Sequence, residues 1–234
     1  MVISFINSKG GTGKSTLCTA VAHELAKTKR VLMIDTDPNC SLSVIHGTYI
    51  KRTDPVDSTA YYLFDGGYPG IKVLSQRLFI IPSHVKMSAH GNTSERSLSK
   101  TIKLNQLDTG FDYILLDAPG YKNNIFRSCI NASDVIIIPS KVSLQDADQT
   151  AECLEEIQNQ DFAGKVGIVI NDIDKKTTRE DEIYALFGGM RDAVLSSRIP
   201  HMRGLFRIAT EQQYTLSGAG KNIIANLVKE ITEQ

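Results

Sequence analysis

The stretch MVISFINSKGGTGKST, residues 1–16, constrains this chain more than any other. Residues 1–7 are apolar and rich in β-formers, as in a strand buried on both faces. Gly10, Gly11 and Gly13 then make a tight turn. From Lys14 to Lys27, the residues Leu17, Ala20, Val21, Leu25 and Ala26 recur at helical spacing. RVLMID (30–35) reads as a second buried strand. Strand, glycine loop, helix and strand together open a doubly wound α/β sheet.

The alternation continues. RLFIIP (77–82), DYILLD (112–117), DVIIIP (134–139) and KVGIVIN (165–171) read as strands, and AVLSSRIP (193–200) as a shorter one. Helical patterns cover 95–107, the surroundings of 122–131, 143–160 and 220–232. Residues 46–76, which contain STAYYLFDGGYPG, lack periodicity and predict short helices and loops. No repeat or linker interrupts the chain, so one domain over 1–234 is expected, with a mostly parallel sheet and helices on both faces.

The loop carries a chemical signature as well. G-x-x-x-x-G-K-[ST] is the pattern of a phosphate-binding loop, in which backbone N–H groups at a helix N-terminus cradle anionic oxygens. Gly13, Lys14 and Ser15 fit its second half, whereas its first glycine is replaced by Ser8, followed by an additional lysine, Lys9. Lys14 is expected on β- and γ-phosphate oxygens, Ser15 on Mg²⁺ and Thr16 near the α-phosphate. Gly10, Gly11, Thr12 and Gly13 complete the cradle. A Mg·ATP site needs a carboxylate at the tip of a neighbouring buried strand, and FDYILLDAPG (111–120) supplies Asp117. VLMIDTDP (31–38) adds Asp35 and Asp37; residues i and i+2 share one side of a strand, so both can face the phosphates.

These three segments resemble the deviant Walker A ATPases, the ParA/MinD group, and within it the ParA-type DNA-partition ATPases. The resemblance runs along essentially the whole chain, most specifically in the three motifs. It implies that Lys9 reaches across an ATP-dependent homodimer to the partner's phosphates, that Asp37 activates water, and that Asp35 joins Asp117 in the metal shell. It places Asn171 and Pro200 near adenine. Residues 198–207 (RIPHMRGLFR) correspond to the segment that packs by the base and begins a DNA-contacting helix. Two departures stand out: Asn39-Cys40-Ser41 where Q-G-N is usual, and DAPG where D-x-P-P is usual.

The resemblance is closest to the short partition ATPases that lack an N-terminal helix-turn-helix. It implies slow, partner-stimulated ATP hydrolysis, a centromere-binding ParB-like partner, non-specific DNA binding in the ATP state, and a cytoplasmic, nucleoid-associated location. Candidate DNA contacts are Lys175, Lys176, Arg179, Arg203, Arg207 and Lys221. Net charge does not point to nucleic acid, since Lys+Arg and Asp+Glu are both 26, and acids are interleaved with the basic residues. A MinD-like membrane ATPase is the competing reading, but NIIANLVKEITEQ is amphipathic without being basic. No apolar run approaches the roughly 20 residues of a bilayer span. The four cysteines, Cys18, Cys40, Cys129 and Cys153, show no C-x-x-C spacing, which argues for buried thiols over an iron–sulfur site.

Overall fold

The structure is a computed structural model that describes residues 1–174, 178–211, 214, 216 and 218–233. Its strands are β1 Val2–Phe5, β2 Val31–Asp35, β3 Lys72–Val73, β4 Leu78–Ile81, β5 Tyr113–Asp117, β6 Val135–Ser140, β7 Lys165–Ile173 and β8 Val194–Pro200. The α-helices are α1 Lys14–Leu25, α2 Ser41–Ile45, α3 Ala60–Phe64, α4 Ser97–Leu104, α5 Leu107–Gly110, α6 Asn124–Ala132, α7 Leu144–Asn159, α8 Glu180–Phe187, α9 Arg203–Glu211 and α10 Gly218–Thr232. The strands form one sheet in the order β3-β4-β2-β5-β1-β6-β7-β8, antiparallel only at the β3 edge.

Alternate strand residues feed two cores, which is why the strands read as unbroken apolar runs. Val31 and Met33 of β2 pack with Leu17 and Val21 of α1 and Ile224 of α10, on one face. Leu32 and Ile34 pack with Leu98 of α4 and Phe126 of α6, on the other. Phe5 and Phe126 are fully buried; truncating either to alanine is expected to cost about 3–5 kcal/mol.

This layering positions the site. β1 lies between β5 and β6, and the chain leaves it for β2 on one side before returning to fill β5. Neighbouring connections therefore diverge at the carboxyl end of β1, where ligands bind in open α/β sheets. Phe5 pairs with Asp117, and Asp117 with Asp35, so the tips of three strands meet there.

The expected helix over 95–107 is shorter and broken. α4 ends at Leu104, and Gln106 adopts a left-handed φ of 54° before α5. Residues 46–76 form the short α3 and loops, plus an edge strand of two residues, β3, too brief to leave a periodicity.

Candidate functional site

The loop after β1 is set by two glycines that no side-chain-bearing residue replaces well. Gly11 and Gly13 have φ of 74° and 102°. A Cβ on Gly13 would also stand 2.2 Å from Asn171 Nδ2. Ser8 is absent from the described residues with left-handed φ, so the lost first glycine costs no backbone strain. Asn7 anchors the loop: its buried amide donates to Pro139 O at 2.8 Å, and its Oδ1 accepts from Lys9 N–H at 2.9 Å.

The two lysines have different surroundings. Lys14 is buried, and its Nζ donates to Lys9 O at 3.1 Å. Burial lowers its pKa, opposed by the nearby Asp117 and Asp37 carboxylates. Lys9 is partly exposed and turns toward α7: its Nζ lies 2.9 Å from Asp146 Oδ1 and 3.3 Å from Gln145 Oε1. Ser8 Oγ donates to Gln149 Oε1 of the same helix at 3.3 Å. One face of α7 thus holds both positions where the loop departs from the common pattern.

The three carboxylates also differ. Asp117 is fully buried, and among the described residues neither of its oxygens has a hydrogen-bond partner. Burial and the neighbouring Asp35 push its carboxyl well above the usual range, while Ser15 and Lys14 favour ionisation. Asp37 lines the cavity; burial raises its pKa, opposed by the Asn39 N–H at 2.9 Å and by Lys14. Asp35 does not share that side. One of its oxygens accepts from Asp37 N–H at 3.1 Å, and the other from Ser43 N–H and Oγ at 2.8 and 2.6 Å. Burial raises it to about 7 despite the Ser43 bonds. The chain turns out of the strand after Asp35, so the i, i+2 geometry ends there and Asp35 braces the start of α2 instead.

Gly10, Gly11, Gly13, Lys14, Ser15 and Asp37 help line a cavity of about 540 Å³, with Tyr121 at its mouth. Gly11, Gly13 and Thr16 also line a second cavity of about 200 Å³, walled by Asn171, Pro200 and Leu205 among others. The two meet across the loop. Asn171 Nδ2 donates to Thr12 O at 2.8 Å, so the end of β7 is tied to the phosphate loop. The buried Thr12 Oγ1 has no hydrogen-bond partner among the described residues. Orphaned oxygens on Asp117 and Thr12, beside Lys14 and a helix N-terminus, fit a magnesium-bound phosphate chain.

The remaining candidates are less focused. Lys175 and Lys176 lie outside the described residues. Arg179 forms a bidentate pair with Asp181, both contacts 2.9 Å. Arg203 and Arg207 are one turn apart on α9, whose Leu205 and Ile208 are buried in the α1 face of the core. Lys221 is exposed on α10. All four cysteines are buried, and among the described residues no cluster of three potential metal ligands forms. No described helix is long and apolar enough to cross a membrane. Sequence reasoning missed Asn7, Ser43 and Asp146; of these only Asn7, a polar residue ending an apolar strand, leaves a readable signal.

The family model for an AAA domain matches residues 1–166. A probable plasmid-partitioning protein ParA of Thermus thermophilus is 25% identical over 100% of this chain and 77% of its own. The chain belongs to the ParA-type partition ATPase family. A maintenance of carboxysome distribution protein A from Gloeothece citriformis is 27% identical over 66% of this chain and 62% of its own. In structure, a putative plasmid partition protein from Borrelia burgdorferi bound to AMPPNP superposes with a TM-score of 0.83 at 22% identity, covering 98% of this chain and 97% of that one. That likeness supports the mostly parallel P-loop fold.

Proposed function

We propose that the chain is a Mg-dependent ATPase that closes into a homodimer around two ATP molecules, binds DNA without sequence preference in that state, and is released by hydrolysis. The observation that carries the reading is a buried Lys14 in the glycine cradle, within electrostatic reach of a buried Asp117 whose oxygens have no hydrogen-bond partner among the described residues. Lys14 and the loop N–H groups hold the phosphates. Ser15 and Asp117 hold Mg²⁺, with Asp35 keeping the adjoining strand tip in register. The metal, when bound, neutralises charge on the transferring phosphoryl group. Asp37, the carboxylate that lines the cavity, orients the attacking water and accepts its proton.

Lys9 acts on the partner's nucleotide, where a second cation stabilises the charge of the transition state. In the single chain it is held by Asp146, so dimerisation exchanges an internal ion pair for a phosphate contact. α9 links nucleotide to DNA: Leu205 lines the smaller cavity, and Arg203 and Arg207 are carried on the same helix. The cargo is a plasmid or chromosome region delivered by a centromere-binding partner that stimulates slow turnover. The likeness to a carboxysome distribution protein favours, as a second reading, a protein cargo moved over the same DNA surface.

The test is binding to a random duplex with ATP, ADP and no nucleotide at fixed salt, with sedimentation of the same samples. Dimers and DNA binding with ATP alone are expected. ATP dimers that ignore DNA contradict both readings, since each uses the DNA surface.

A further inference from the structure

The smaller cavity has a charged wall that the phosphate chemistry does not use. Asp172 follows Asn171 where the pairing of β7 with β8 shifts register, and it takes a left-handed φ of 59°. Aspartate tolerates that conformation better than most residues, at a cost of order 1 kcal/mol. The distortion turns its carboxylate from the ladder to the rim of the cavity. Oδ2 lies 2.9 Å from Lys141 Nζ, at the end of β6, and Oδ1 lies 2.7 Å from His201 Nδ1, just after β8. Burial raises the Asp172 carboxyl, but the His201 and Lys141 bonds outweigh it and hold the group below its ordinary value. All three residues line the cavity together with Asn171.

Isolated exposed ion pairs contribute little to stability. Three strand ends meeting on one strained residue therefore ask for a role other than stability. Asn171 provides the clue. Only its amide nitrogen can donate to Thr12 O, which fixes the amide's orientation and leaves Oδ1 as an acceptor with no donor among the described residues. Adenine presents an amino group at C6 and guanine a carbonyl. A free acceptor pairs with the first and repels the second. A free lysine ammonium in the same wall would do the reverse.

We propose that Asp172 is a specificity-positioning residue: by holding Lys141 and His201 at the rim, it keeps the lysine donors off the base edge and leaves Asn171 Oδ1 to select adenine over guanine. The inference rests on the nucleotide reading given above and adds to it the origin of base choice. His201 lines the same cavity, and in the neutral tautomer that donates Nδ1–H to Asp172 its Nε2 is an additional acceptor.

The test is calorimetric titration with AMPPNP and GMPPNP in the presence of Mg²⁺. The wild-type chain should prefer AMPPNP by at least roughly tenfold, the worth of one hydrogen bond gained against one acceptor left facing another. Asp172→Gly removes the carboxylate and suits the left-handed backbone. It should narrow the preference about fivefold or more, mainly through tighter GMPPNP binding. Adding Lys141→Ala to Asp172→Gly should restore the preference, whereas a residue that merely supports the fold would lower both affinities together. An Asp172→Gly ratio equal to wild type, with AMPPNP still bound, overturns this inference alone. A wild-type chain that binds neither nucleotide overturns the nucleotide reading and this inference with it. His201→Ala gives an independent check: an unchanged ratio contradicts the wall.

Discussion

The two ends of the cavity are built in opposite ways. At the phosphate end, most lining groups come from the few residues after one of three central strands: Gly10, Gly11, Gly13 to Thr16, Asp37 and Gly120. The strands are paired in register, so the tips cannot move apart without opening the sheet. At the nucleoside end, Lys141, Asn171, Pro200 and Leu205 come from four separate places along the chain. They are joined by side-chain bonds: Asn171 to Thr12 O, and Asp172 to Lys141 and His201. Triphosphate chemistry is thus fixed by the backbone of the fold. On the proposed reading, base recognition would be fixed by side chains on a strand distorted near its end, where substitutions are expected to alter specificity without unfolding the sheet.

The largest effect that tests this contrast is at Lys14. Lys14→Ala should lower ATP affinity and abolish measurable hydrolysis, a loss of at least about 10²-fold in turnover. Asn171→Ala should weaken binding only several-fold and leave the turnover of bound ATP near wild type. Equal losses in both variants, measured by titration and single-turnover hydrolysis, would erase the distinction. Gly13→Ala strikes both ends at once, because it strains a φ of 102° and drives a methyl into Asn171 Nδ2. It should destabilise the chain by about 1–3 kcal/mol in a denaturant melt. Nucleotide binding should be lost even where the fold persists.

The smallest effect is electrostatic. Asp35, raised to about 7, and Asp117, also raised, contribute stability when protonated. That contribution is complete below the ordinary carboxyl value near 4 and disappears as pH rises through the folded-state values. His23 and His46, lowered by burial to about 4, act in the opposite sense, but only below their ordinary value of 6.5. The window from pH 6.5 to 8 therefore isolates the acids. Metal- and nucleotide-free protein should lose about 1 kcal/mol across it. Asp117→Asn, which replaces a buried carboxyl whose ionisation burial opposes by a neutral amide, should raise the apo melting temperature by several degrees above pH 7. It should also flatten the pH dependence and abolish Mg²⁺-dependent hydrolysis. A lower apo melting temperature would mean that Asp117 has a protein partner after all.

What could be read from the sequence follows the same division. The geometry of the glycine loop was legible because contiguous motifs carry it: glycines need their φ, lysine sits at the helix N-terminus, and an acid ends β2 and β5. The division of labour between Asp35 and Asp37 was not legible. Both lie at the end of one apolar run, and only the turn after Asp35 and the Ser43 bonds separate them. Asp146 sits within an ordinary helical pattern and becomes meaningful only once Lys9 lies beside it. Lys141, Asp172 and His201 read as scattered polar residues, since no local spacing relates three strands that become neighbours through sheet topology. The edge strand β3 was too short to register, and Gln106 broke a helix that periodicity alone carried to residue 107.

The measurement that bears most directly on the central claim is hydrolysis by mixed subunits. Lys9→Ala and Asp37→Ala are each expected to be inactive alone. In a mixed dimer, the Lys9→Ala subunit keeps its own Asp37 and receives Lys9 from its partner, so one of the two sites is whole. An equimolar mixture of the purified variants should recover about a quarter of wild-type turnover, since half of the dimers are mixed and each has one working site. Recovery at that level would establish that Lys9 acts on the partner's nucleotide. No recovery, with mixed dimers shown by co-purification of an untagged subunit with a tagged one, would place Lys9 in its own subunit's site and contradict the account.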